Sequence, residues 1–317
     1  MKKYSIVNRM NHPLVSVIIP NYNHAAFLDE RICSVLNQTY DAFELIILDD
    51  KSTDNSQRVI NKYKDDSHVS HIIYNDENSG SPFIQWQKGF ELANGQLIWI
   101  AESDDSCDNS FLETLVRYFE NDPCCDLAFC KSIIIDQDGH VLGKEGVSFS
   151  YSMKGERFIK RYLSKYNYVI NASSAVFTKK SLVNVSSDYT KFRGCGDWVF
   201  WAEISKRGNV AYDCRPMNRF RNHRNNTTSQ QTRTGIGEFE VAKVIEYLRS
   251  KKYISAFDFF RAKVVHIYSV KYGKMKGVLT SSDVRTLSQI WGYDCFCGLV
   301  VETLHLFSVF GIRIVNR

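Results

Sequence analysis

Near-continuous apolar runs in the first third of the chain each end in a polar cluster. Val15-Ser16-Val17-Ile18-Ile19 leads into Pro20-Asn21-Tyr22-Asn23, and Leu45-Ile46-Ile47-Leu48 into Asp49-Asp50-Lys51-Ser52. Leu97-Ile98-Trp99-Ile100-Ala101 leads into Glu102-Ser103-Asp104-Asp105. Runs of this length and bulk predict buried strands. Between them the period changes. Leu28, Ile32, Val35 and Leu36 have the spacing of a helix packed on a sheet. Ser52-Thr53-Asp54 offers capping oxygens to a second helix through Tyr63, and His71–Tyr74 is a short third strand. The turn Asn78-Ser79-Gly80 precedes Pro82, which suits the first turn of a helix reaching Ala93, where Asn94-Gly95 ends it. Such alternation predicts an α/β fold with a parallel sheet covered on both faces.

Beyond Asp105 the alternation loosens. The pattern predicts a helix over Phe111–Phe119, a strand over Asp126–Ile135, and a hairpin-type turn at Asp136-Gln137-Asp138-Gly139. An amphipathic helix over Lys154–Tyr166 and strands over Ala172–Phe177 and Val210–Asp213 follow. Residues 225–237 are polar and turn-rich, and helical periodicity dominates after them. The expected division is therefore an α/β domain over 1–225 and a helical C-terminal region over 226–317. Phe296–Ile312 is apolar, but at 17 residues with Glu302 and His305 it is short for a membrane span. It reads as an interfacial or core helix.

Ligands of open α/β sheets bind outside the carboxyl ends of the strands. Three such ends carrying carboxylates and amides make one composite site. It is poor in glycine, so it is not a phosphate cradle; grouped carboxylates instead suit a divalent cation, a ribose hydroxyl or a base edge. A nucleotide plus a metal is the chemistry expected here. Asp54 reads as a cap residue, and Trp86 as core packing.

Charge sharpens the picture at the other end. The net charge is +5, yet residues 251–317 hold 10 Lys and Arg against 4 Asp and Glu, and the rest of the chain is nearly neutral. A basic tail rich in Tyr, Phe and Leu points to peripheral contact with an anionic membrane face; a solvated helical face is the plainer reading, and no nucleic-acid partner is expected. Nine cysteines lack the spacing of a disulfide framework or a metal knuckle. With no apolar signal segment at the start, reduced thiols and a cytoplasmic location are expected, on the inner face of the membrane if the tail binds it.

Residues 14–105 resemble the family-2 glycosyltransferases through Pro20-Asn21-Tyr22-Asn23, Gln38-Thr39-Tyr40, Asp49-Asp50-Lys51-Ser52-Thr53-Asp54 and Glu102-Ser103-Asp104-Asp105. Gly196-Asp197-Trp198 matches a further acidic landmark. The resemblance implies a GT-A fold, which is Rossmann-like, and inverting sugar transfer from a nucleotide-diphosphate sugar with Mn²⁺ or Mg²⁺. By the same carry-over, Pro20, Tyr22 and Asn23 border the nucleotide pocket, Asp50 accepts from the base, Asp104 holds the ribose and Asp105 the metal. Asp197 becomes the general base. Lys88 stands near the position where relatives have an Arg facing the diphosphate, and Glu102 replaces an Asp. His223 occupies a late position that can complete a metal shell, with Arg221 and Arg224 as diphosphate contacts. The Asp50 position suits uracil N3–H, so a UDP-sugar is the expected donor. The expected acceptor is a saccharide or lipid-linked saccharide of cell-surface polysaccharide assembly. The rival readings are a metal-dependent nucleotidyltransferase and a non-catalytic nucleotide- or sugar-binding module. The first should show a glycine-rich basic loop after the first strand, which this chain lacks.

Overall fold

The computed structural model describes residues 12–223, 226, 234–272, 278–292 and 295–309. In chain order the first half comprises β1 (Val15–Asn21), α1 (Ala25–Leu36), β2 (Phe43–Asp49), α2 (Ser56–Ile60), β3 (Val69–Tyr74), α3 (Pro82–Leu92) and β4 (Leu97–Ile100). Then come β5 (Ser106–Cys107), α4 (Phe111–Asn121), β6 (Cys125–Ile135), β7 (Val141–Glu145), β8 (Tyr151–Lys154), α5 (Gly155–Phe158), β9 (Ala175–Thr178), α6 (Gly196–Ser205) and β10 (Asn209–Arg221). Four helices close the described chain: α7 (Ile236–Ser250), α8 (Ala256–Tyr272), α9 (Ser281–Ile290) and α10 (Cys295–Val309).

The strands form one mixed sheet in the order β3-β2-β1-β4-β9-β6-β10-β5, with β7 beside β6 and β8 beside β10. The expected parallel pairing holds for β1 with β2 and β4, and for β2 with β3. Past β4 the sheet departs from it: β9 runs antiparallel to both β4 and β6. Strand order reverses at β1 and β4, so the loops after β1, β2 and β4 open on one crevice.

Alternate strand residues feed two cores, as the pleat requires. Val17, Ile19, Leu45, Ile47 and Trp99 pack with Leu28, Ile32, Phe111 and Leu115 of α1 and α4. Ile18, Ile46, Ile98 and Ile100 pack on the opposite face with Trp86, Phe177, Phe200 and Trp201. That second core runs without a break into Val244, Leu248, Ile267 and Trp291 of the C-terminal helices. No described helix is long and apolar enough to cross a membrane.

Several elements differ from expectation; the strand expected over Ala172–Phe177 begins only at Ala175, after a tight turn over Ala172–Ser174. Lys154–Tyr166 is not one helix: α5 gives way to a wider turn over Ile159–Leu163. Gly155 starts it because an added Cβ would lie 1.5 Å from the Ser205 carbonyl oxygen. β10 extends to Arg221 rather than stopping at Asp213, with register shifts at Pro216 that fit a residue lacking an N–H. Its polar residues Asn218 and Arg221 are buried by pairing, so periodicity did not mark them as strand. The stretch 225–237 lies largely outside the described residues, as does Arg224.

Candidate active site

The loop after β1 is held by its own amides. Asn23 sits at φ 56°, a left-handed conformation that Asn tolerates. Its N–H donates to Ser52 Oγ at 2.9 Å, and its Oδ1 accepts from the Thr53 N–H at 2.7 Å. Asn21 donates to Asp49 Oδ1 at 2.7 Å, and Asp54 accepts from the N–H groups of Ala25 and Ser56. Asp54 is thus a cap, as expected, joining the first two loops. Pro20 is buried within β1 opposite Leu48, whereas Tyr22 presents its ring at 47% exposure.

Asp50 is buried and heavily engaged. Its carboxylate accepts from Asn75 Nδ2 at 2.7 Å, Gln85 Nε2 at 2.9 Å, and the Ser79 N–H and Oγ at 2.9 and 2.7 Å. It therefore organises the loop between β3 and α3. Lys88 belongs to the same rim, donating to Asn75 Oδ1 at 3.0 Å.

The cluster after β4 separates its two aspartates. Asp104 Oδ2 lies 3.0 Å from His223 Nε2, and the His24 and His223 rings meet edge to face at 5.4 Å. One ligand atom from each of His24, Asp104 and His223 lies within 4.8 Å of the others. Burial opposes ionisation of Asp104, but the His223 hydrogen bond and the two histidine charges hold its carboxyl below the ordinary range. Burial lowers His24, outweighing the opposing pull of Asp104. An ionised carboxylate with the ring nitrogens of His24 and His223 close by is a donor set that suits a divalent cation such as Mn²⁺.

Asp105 faces the other way. Its oxygens accept from Asn171 Nδ2, from Ser173 Oγ at 2.6 Å and from the Arg221 N–H at 2.9 Å. Burial and the Asp104 charge push it up to about 7. The carry-over paired Asp105 with His223; the geometry brings Asp104 to His223 instead, because Asp105 is the peg that fixes β10 and the 171–173 segment to the loop. Arg221 is likewise not turned to a diphosphate. It donates to the Asp104 carbonyl at 2.8 Å and to Glu30 Oε2 at 2.6 Å, over the Phe27 ring. Glu102 accepts from Trp86 Nε1 at 3.0 Å and is pushed up to about 8 by burial and by Asp104.

Asp197 opens α6. Its carboxylate accepts from Asn167 Nδ2 at 2.7 Å and from the Trp198 N–H at 2.8 Å. Burial drives it up to about 7; the Trp198 and Asn167 hydrogen bonds oppose that, and the Glu240 charge adds to it. The segment from Asn167 to Ser173 touches Asp197 at one end and Asp105, the neighbour of Asp104, at the other.

Three contributors were not singled out from sequence. His24 follows the first motif directly. Arg31 is fully buried, donates to the Glu102 carbonyl at 2.8 Å and lies 3.8 Å from Asp105; an arginine inside the apolar stripe of α1 was its only signal. Glu240 of α7 accepts from the N–H groups of Arg193, Gly194 and Cys195 at 2.7, 2.9 and 2.9 Å, immediately before α6. Nothing local to Glu240 marks it.

Comparison with known proteins bears on the family and the fold. The profile of glycosyl transferase family 2 matches residues 16–184. Over 205 residues the chain is 27% identical to the putative teichuronic acid biosynthesis glycosyltransferase TuaG of Bacillus subtilis, covering 63% of this chain and 75% of that one. Over 243 residues it is 26% identical to the GalNAc(5)-diNAcBac-PP-undecaprenol beta-1,3-glucosyltransferase of Campylobacter jejuni, covering 74% of each. The crystal structure of S. aureus TarS 1–349 in complex with UDP-GlcNAc superposes with a TM-score of 0.58 at 15% identity, over 93% of this chain and 92% of that one, a likeness of fold. With more than half of the chain inside the family profile and the strand-end carboxylates in place, this protein belongs to glycosyl transferase family 2, the inverting glycosyltransferases of GT-A fold.

Proposed function

We propose that the chain transfers a glycosyl group from a UDP-sugar to a hydroxyl of a saccharide or lipid-linked saccharide, in assembly of a bacterial surface polysaccharide. The observation that carries this reading is the pairing of a cation-ready cluster, His24, Asp104 and His223, with a raised carboxyl at Asp197, which the 167–173 segment ties to Asp105 next to that cluster. The relatives' names, teichuronic acid and an undecaprenol-linked glycan, support the acceptor class.

Tyr22 offers its exposed ring to the base, with Pro20 and Asn23 shaping the loop beneath it. Asp50 contributes to base recognition through the Asn75 and Ser79 rim that it orients, with Lys88 behind that rim. Mn²⁺ or Mg²⁺ held by Asp104, His24 and His223 would supply Lewis-acid stabilisation of the departing diphosphate. Asp197 takes the acceptor hydroxyl proton at a carboxylate oxygen, a contribution of about 10²–10⁴-fold; Asn167 fixes the direction of that carboxylate. Inversion needs no protein nucleophile. We assign catalysis to residues 1–225, and to 226–317 a bracing role with peripheral contact at the anionic inner face of the membrane.

Calorimetric titration of UDP, GDP and dTDP, with and without Mn²⁺, into wild type and Asp104→Asn tests the reading. Mn²⁺-dependent UDP binding that the variant loses is the expected result. Absence of nucleotide binding in either metal state would overturn it in favour of a module without turnover.

A further inference from the structure

Away from the strand-end crevice, the chain after β8 turns a basic face outward. Lys154, Arg157, Lys160, Arg161 and Lys165, joined by Arg261 of α8, line a cleft of about 570 Å³ whose lining holds one acid, Glu156. Lys165 is half-buried and the other five cations are exposed. Some cations elsewhere on the surface pair with acids, as Lys62 does with Asp29, Lys191 with Asp188 and Arg215 with Asp213. None of the six cleft cations has an ion-pair partner among the described residues. Like charges crowded this way repel unless an anion joins them. Lys165 registers the strain, its ammonium held below the ordinary range by burial and by Arg261 and Arg161.

The cleft's position ties it to the chemistry. Lys165 lies two residues before Asn167, whose amide holds Asp197, and Trp198 Nε1 donates to the Leu163 carbonyl at 2.8 Å on the same turn. Tyr166 and Phe257 add exposed apolar faces, and the Arg261 guanidinium lies 5.7 Å from the Phe257 ring centroid. A concave site with several guanidinium groups suits a discrete phosphate group, which arginine grips through paired hydrogen bonds, better than it suits the plane of a bilayer.

We propose that this cleft binds the phosphate of a phosphate-linked saccharide acceptor and thereby selects the hydroxyl presented to Asp197. The proposal rests on the glycosyltransferase reading above and names the acceptor chemistry for it. A polyisoprenyl diphosphate and a phosphodiester-linked polyol chain both carry the recognised group.

The test titrates the full chain, in metal-free buffer, with inorganic pyrophosphate, geranyl diphosphate and a glycerol-phosphate oligomer. The same titrations use an Arg157→Gln/Arg161→Gln/Arg261→Gln variant. Wild type should bind pyrophosphate, and the variant should bind it roughly tenfold or more weakly, because charge-assisted hydrogen bonds are lost. UDP with Mn²⁺ should bind both proteins alike, which also shows that the variant is folded. Tighter binding of geranyl diphosphate supports the cleft and names a lipid-linked source; tighter binding of the oligomer supports it and names a polymer. Equal pyrophosphate binding by wild type and variant overturns the proposal. So does a variant defect confined to pelleting with phosphatidylglycerol vesicles, which would make the cleft a membrane face. Failure of UDP to bind either protein, with the pyrophosphate difference intact, removes the donor reading and leaves the cleft as an anion site.

Discussion

At the scale of single residues, Asp197 is governed by opposed influences. Burial raises its carboxyl to about 7, against two hydrogen bonds that favour the ion. A general base works only when deprotonated, so turnover should fall as pH drops below about 7, by roughly tenfold per unit at the acid extreme. A profile of turnover against pH checks this, and a flat profile from pH 5 to 8 would remove Asp197 from that role. Asp197→Asn should retain UDP binding and lose about 10²–10⁴-fold in turnover. The strand-end carboxylates were legible because each follows an unbroken apolar run. The division between Asp104 and Asp105 was not, since it depends on which neighbour faces which: His223 arrives just past the end of β10 and Asn171 on another segment. Arg31 was hidden for a different reason. A cation in an apolar stripe looks like a break in the stripe until a buried carboxylate is found 3.8 Å away.

Among the elements, α6 is buried all round, with Trp198, Val199, Phe200 and Trp201 inside the core. A helix of that kind sits inside a core, and its position is set by contacts at its first turn. An added Cβ at Gly196 would lie 2.2 Å from the Tyr189 carbonyl and 2.6 Å from the Phe83 ring. Gly196→Ala should therefore cost about 1–3 kcal/mol by overpacking, and should lower turnover by shifting Asp197. Chemical denaturation reads the first effect and steady-state kinetics the second. The early strands and helices follow their apolar period closely, whereas β10 exceeded its expected length. Its far half carries Asn218, Arg219 and Arg221, residues that enter a sheet only because β5 and β6 supply partners.

For the whole molecule, the decisive contacts cross from the α/β sheet domain to the C-terminal helices. Glu240 satisfies three backbone N–H groups ahead of α6, and Tyr247 donates to Glu203 of α6. Glu240→Ala leaves those amides without their carboxylate and should cost about 1–3 kcal/mol, measured by thermal or denaturant unfolding. Glu240→Gln keeps an acceptor but removes a charge that raises Asp197. The acid limb of its pH profile should accordingly move to lower pH, a shift that a purely structural role would not produce.

The Glu240 contact has a consequence for recombination between relatives. A chimera that keeps the nucleotide-binding half and takes its closing helices from another glycosyltransferase replaces the carboxylate that seats the 193–195 turn. Such a hybrid would keep the strand-end cluster of His24 and Asp104 while Asp197, the proposed proton acceptor, lost its register. Swaps intended to alter acceptor choice therefore need a matched acid on the incoming helix, or a donor half cut from the same parent as its brace.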